Sequence, residues 1–133
     1  VSSSGTLSTT RRRYWMKRVL VVDDNEKIRT LIRRMLKRLP VQVKEAEDGE
    51  QALFLHEHET YDLIVTDLVL PGMSGIDLSR AIQERRPGTR TLLVSGYDNG
   101  LLGPEERDIP FLQKPFDRSA LLSAVSEVLA GDA

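Results

Sequence analysis

From Lys17 onward, short apolar runs alternate with amphipathic stretches, and the spacing within each run predicts its secondary structure. Residues 19–22 and 63–66 are unbroken β-branched and aliphatic runs, as expected of strands covered on both faces. Residues 41–46, 91–94 and 111–113 read as further strands, the first of them weaker. Between the first two strands, Ile28, Leu31, Ile32, Met35, Leu36 and Leu39 recur at helical spacing. Arg29, Arg33, Arg34, Lys37 and Arg38 fall between them, which predicts an amphipathic helix with a basic outer face, stopped by Pro40. Asp24 or Asn25 is placed to cap that helix, and Asp48 to cap one over residues 49–58. The turn Pro71-Gly72-Met73-Ser74-Gly75 leads to a Ser74/Asp77 capping pair and a helix ending near Pro87. A last helix, capped by Asp117, carries Leu121, Leu122, Val125, Val128 and Leu129 on its apolar side.

Strands alternating with helices predict an α/β fold, a mostly parallel sheet with helices on both faces and right-handed crossovers. Gly96, Gly100, Gly103 and Pro104 interrupt the segment between the fourth and fifth strands, so a helix there is expected to be short or irregular, and residues 99–107 loop-like. Residues 1–16 form a Ser/Thr/Gly-rich lead running into Arg11, Arg12, Arg13, Tyr14 and Trp15; they are expected to be a flexible linker ahead of one domain at residues 17–131. A chain that starts on Val and not Met suggests excision from a longer polypeptide.

Composition changes this picture mainly by exclusion. At 133 residues, 40% apolar, 29% charged and a net charge of -1, the chain suits a single soluble domain and names no function. The absence of cysteine rules out disulfides, thiolate catalysis, zinc–thiolate sites and iron–sulfur clusters. No apolar run approaches the roughly 18 residues that span a bilayer, so a cytoplasmic protein without membrane contact is expected. Charge is uneven: residues 1–44 hold 12 Lys or Arg against 3 acids, and the remainder 7 against 17. A triplet of arginines with no helix-turn-helix segment behind it is a poor nucleic-acid signal, so no nucleic-acid binding is expected. His56 and His58, two apart on a helix, point to different faces and make a poor metal site.

Chemistry concentrates at the strand ends, where parallel α/β sheets bind ligands at the point of strand-order reversal. Asp23 and Asp24 follow the first strand, Asp67 the third, Ser95 the fourth and Lys114 the fifth. Each alone is explained as a helix cap or surface group; the ordered set is not. If the ends of the first and third strands are neighbours, three carboxylates meet and raise one another's pKa unless a positive charge joins them. A hard divalent cation such as magnesium, which takes one or two carboxylates with water and phosphate, meets that need.

Val-Leu-Val-Val-Asp23-Asp24, Leu-Ile-Val-Thr-Asp67 with Pro71 and Gly75 following, Leu-Val-Ser95-Gly96, and Phe111-Leu-Gln-Lys114-Pro115-Phe116 resemble the response-regulator receiver domain of two-component phosphorelays, over roughly residues 17–130. The resemblance implies a flavodoxin-like (βα)5 sandwich with strand order 2-1-3-4-5. It implies that Asp67 is phosphorylated by a histidine kinase or histidine phosphotransfer protein, either a separate partner or a kinase domain of the same parent chain. Asp23, Asp24, Asp67 and the Val69 backbone carbonyl would hold Mg2+, and Ser95 and Lys114 would contact the phosphoryl oxygens. Ser95 and Phe111 would form a switch, and the Lys114–Pro115 bond would be cis. Val69 and Tyr97 would flank the pocket and tune the lifetime of the adduct. Such a domain is a phosphoacceptor signalling module and not an enzyme. The alternative is a magnesium-dependent phosphatase working through an aspartyl phosphate; it requires a second Asp where Val69 stands. A Rossmann oxidoreductase would need Gly-x-Gly-x-x-Gly where Asp23-Asp24-Asn25 stands.

Overall fold

The computed structural model describes residues 17–96 and 109–130. Five strands, β1 (Lys17–Val22), β2 (Val41–Ala46), β3 (Leu63–Asp67), β4 (Arg90–Ser95) and β5 (Phe111–Gln113), form one parallel sheet in the order β2-β1-β3-β4-β5. The helices are α1 (Glu26–Leu36), α2 (Gly49–His58), α3 (Gly75–Arg85) and α4 (Arg118–Ala130). This is the flavodoxin-like sandwich expected. The expected loop over residues 99–107 and the linker over residues 1–16 lie outside the described residues.

Strand side chains alternate between the two faces, and each face meets its own helices. Val19, Val21, Leu63, Val65, Leu92 and Val94 pack with Ile32 and Leu36 of α1 and with Leu121, Val125 and Val128 of α4. On the other face Leu20, Val22, Ala46 and Ile64 pack with Ala52 of α2 and with Leu78 and Ile82 of α3. Covering both faces explains why β1 and β3 read as continuous apolar runs.

The helix starts follow the sequence signals. Asn25 Oδ1 accepts from the Lys27 and Ile28 N–H groups, Asp48 from Gln51, Ser74 from Asp77 and Asp117 from Ala120. Three expectations for α1 need correction. The helix stops at Leu36, short of Pro40, and Lys37, Arg38 and Leu39 close it with N–H bonds to carbonyls three residues back. Leu31, expected in the core, is 45% exposed. Arg29, expected on the basic outer face, is only 8% exposed. The spacing explains the exchange, because positions 29, 32 and 36 share one helical stripe, the one that Ile32 and Leu36 bury.

Candidate functional site

Strand order reverses between β1 and β3, and the carboxyl ends of these two strands carry Asp23, Asp24 and Asp67. Each offers a carboxylate oxygen, and these oxygens lie within 4.8 Å of one another. Asp23 is buried, Asp67 half-buried and Asp24 exposed, so the cluster forms a pocket open on one side. Asp23 is held on every side: its N–H donates to the Ala46 carbonyl at 3.2 Å, and its Oδ1 accepts from the Asn25 N–H at 2.8 Å.

Lys114 enters from the end of β5. Its N–H donates to the Ser95 carbonyl at 2.7 Å, and its Nζ lies 3.3 Å from Asp23 Oδ2 and 3.5 Å from Asp67 Oδ2. The Lys114–Pro115 peptide is cis. Burial raises the Asp67 carboxyl above the usual carboxylate range; the Lys114 ammonium pulls it back, and the Asp23 charge pushes it up again. Three acids against one ammonium leave an excess of negative charge, and all the donors are hard oxygens. That set fits Mg2+.

Ser95 ends β4 and is buried, one residue beyond Val94, the partner of Asp67 across the β3–β4 pair. Val69 follows Asp67 at the exposed rim, its N–H 3.4 Å from Asp67 Oδ1. Phe111 opens β5 opposite Leu93 and is half-buried against the small cluster of Leu68 and Leu93. Tyr97 lies outside the described residues.

Two residues with a bearing on the site were not assigned a place in it from sequence. Gly75, at the start of α3, donates its N–H to the Leu68 carbonyl at 2.8 Å, and a Cβ there would sit 2.3 Å from the Asp67 carbonyl oxygen. Arg29 donates through its guanidinium to the Asp23 carbonyl at 2.7 Å and to Glu45 Oε1 at 3.2 Å. Its place on the 29-32-36 stripe was the available signal.

His56 and His58 do point to different faces: His58 is exposed, and His56 is buried near the amino ends of β3 and β4. Thr89 Oγ1 donates to the Tyr61 carbonyl at 2.9 Å, so it must accept from His56 Nε2 at 3.2 Å, which puts the imidazole proton on Nε2. Burial, then the nearby Arg86 and Arg85 charges, lower the His56 pKa.

The fold and the site together define a class: a doubly wound α/β domain with a lysine-bridged acidic pocket at its switch point. The family model of the response regulator receiver domain matches residues 19–126, and the chain belongs to that family. It is therefore a receiver domain of two-component systems, a signalling domain. It is 33% identical over 114 residues to the transcriptional regulatory protein ResD of Bacillus subtilis (strain 168), a match covering 84% of this chain and 48% of ResD. The chain thus spans about half the length of that relative. It is 30% identical over 121 residues to the chemotaxis protein CheY of Halobacterium salinarum, covering 85% of this chain and 97% of that one. Among solved structures it is similar to the response regulator protein TrrA of Thermotoga maritima in complex with Mg(2+)-BeF. That likeness has a TM-score of 0.77 at 29% identity, over 85% of this chain and 99% of the other. Among the described residues no helix is long and apolar enough to cross a membrane.

Proposed function

We propose that this domain takes a phosphoryl group onto Asp67 from a histidine kinase or histidine phosphotransfer protein, in a Mg2+-dependent reaction, and switches partner contacts as a result. The observation that carries the reading is Lys114 Nζ standing between Asp23 Oδ2 and Asp67 Oδ2, 3.3 and 3.5 Å away, beside a cluster of three convergent carboxylates. Asp67 Oδ attacks phosphorus, the bond from phosphorus to the donor imidazole nitrogen breaks, and the imidazole leaves with its electron pair. Asp23, Asp24, Asp67 and the Val69 carbonyl would hold Mg2+, which when bound offsets charge on the phosphoryl oxygens. Lys114 would supply a compact positive charge to the same oxygens. Ser95 donates its hydroxyl to a phosphoryl oxygen, and Phe111, packed behind Leu68, is the aromatic that answers its movement.

The basic outer side of α1 would suit a partner surface that carries acidic groups. Leu31 stands exposed there among Lys27, Arg34 and Arg38, and Arg118 of α4 closes the same shallow groove. The receiver unit is read as residues 17–131 in a cytoplasmic setting, either free-standing or within a longer chain. Incubation with Mg2+ and a small acyl phosphate, followed by mass, tests the assignment. One labile phosphoryl adduct is expected, lost in Asp67→Asn and on chelation; an undiminished adduct in Asp67→Asn overturns it, and sustained turnover of a phosphomonoester points to the phosphatase alternative.

A further inference from the structure

We propose that Arg29 is a positioning residue for the cation pocket: it fixes the Asp23–Asp24 peptide from below, while Glu45 at the end of β2 orients and neutralises its guanidinium. The inference rests on the reading that Asp23, Asp24 and Asp67 take Mg2+.

An arginine 8% exposed, on a stripe shared with Ile32 and Leu36, needs partners that repay its desolvation. It has two of different kinds. The 2.7 Å bond to the Asp23 carbonyl reaches the main chain of a metal-pocket residue, and the 3.2 Å bond to Glu45 Oε1 supplies the counter-charge. The other oxygen of Glu45 lies 3.1 Å from Arg33 Nε, so one carboxylate ties two α1 arginines to β2. The register of β1 against β2 does not depend on this arrangement, because the Asp23 N–H already bonds Ala46. What Arg29 adds is control of the next peptide. With the Asp23 N–H and both its carboxylate oxygens engaged, the carbonyl is the remaining handle, and its orientation sets where the chain carries Asp24. Asp24 is exposed, so the direction of that peptide largely decides whether its carboxylate converges with the other two.

A forked, planar group is required. A lysine at position 29 keeps the charge yet presents one point charge where two acceptors in different directions must be held together. Groups behind the ligands of a metal site typically change metal affinity about 10- to 100-fold when lost.

The test uses the full chain with Mg2+ as the probe. Mg2+ affinity is read by calorimetry and by the Asp24 and Asn25 amide shifts in Arg29→Lys and Glu45→Gln, with the unfolding midpoint in chelator confirming the fold. Both variants are expected to bind Mg2+ about 10-fold or more weakly. Their slowed phosphorylation by an acyl phosphate is expected to recover as Mg2+ is raised, a pattern that a tether between α1 and β2 would not produce. Folded variants that bind Mg2+ within about twofold of the parent chain overturn the proposal. If Arg29→Lys does not fold, Glu45→Gln decides on the same scale. A parent chain that binds no Mg2+ overturns the pocket reading itself, a separate outcome.

Discussion

Replacing Gly75 by alanine tests whether the place of Asp67 is set by close backbone packing. The new methyl carbon would lie 2.3 Å from the Asp67 carbonyl oxygen, 3.1 Å from its carbonyl carbon and 3.2 Å from Leu68 Cα. Carbon contacts settle near 3.5 to 4.0 Å, so roughly 1 Å of relief is needed. All three neighbours are main-chain atoms, and none can rotate away. The end of β3 or the start of α3 must move, and Asp67 moves with it. Overpacking of this kind costs about 1 to 3 kcal/mol, against which alanine recovers up to about 1 kcal/mol of helix propensity. The domain should therefore stay folded, given a typical stability of about 5 to 15 kcal/mol. A displacement of about 1 Å at a reacting group costs on the order of 100-fold in rate. Expected, then, is a large loss of acyl-phosphate-dependent phosphorylation, followed by mass at saturating Mg2+, beside a modest loss in urea unfolding. Gly72→Ala is the control: its φ of +83° strains any side chain, but nothing lies within 4 Å, so stability falls and the rate does not. Phosphorylation of Gly75→Ala at the parent rate would refute the reasoning.

Two further outcomes follow from charge. The pKa of His56 is held below 6.5 by burial and by Arg86 and Arg85, so the unfolded chain binds the extra proton. Its contribution to stability is complete above that value and is lost as pH falls through it; urea midpoints at about pH 7.5 and about pH 5.5 should show the drop, and His56→Gln should flatten it. The folded-state pKa of Asp67 is raised, chiefly by burial, so its ionised form weakens the metal-free fold above that pKa, and the penalty vanishes as pH falls below the unfolded value. In chelator, Asp67→Asn should melt higher than the parent near neutral pH, with the advantage shrinking in acid; equal midpoints at both would show that Lys114 compensates the charge fully.

The fold was legible because its signals are local. Continuous apolar strands demanded cover on both faces, and the caps at Asn25, Asp48, Ser74 and Asp117 stand where the short polar side chains pointed. Periodicity alone gave parallel strands without their order; the order β2-β1-β3-β4-β5 came from the resemblance, because pairing across a sheet leaves no trace in the spacing of one strand. The end of α1 was less legible. Leu39 keeps the helical apolar rhythm and still packs on the core, while its N–H bonds the carbonyl three residues back, so a pattern of side chains cannot tell an α turn from a tighter one.

The site divides along the same line. Asp23, Asp24, Asp67 and Lys114 could be read because a charged residue directly after an apolar strand is conspicuous without knowledge of its partners. Arg29 could not be read that way. Five basic residues in the expected helix look like a solvated face, and the partners that make burial of Arg29 tolerable, the Asp23 carbonyl and Glu45, 16 residues on, stand in other parts of the fold. Gly75 is harder still, since its contribution is the absence of a side chain beside a carbonyl that belongs to Asp67. On the proposed reading, the groups that would carry charge to a phosphoryl group are thus written in residue type, whereas those that would aim them are written in packing. Substitutions at Arg29 and Gly75 therefore separate the two: each leaves every acid and Lys114 in the chain and alters only where they stand.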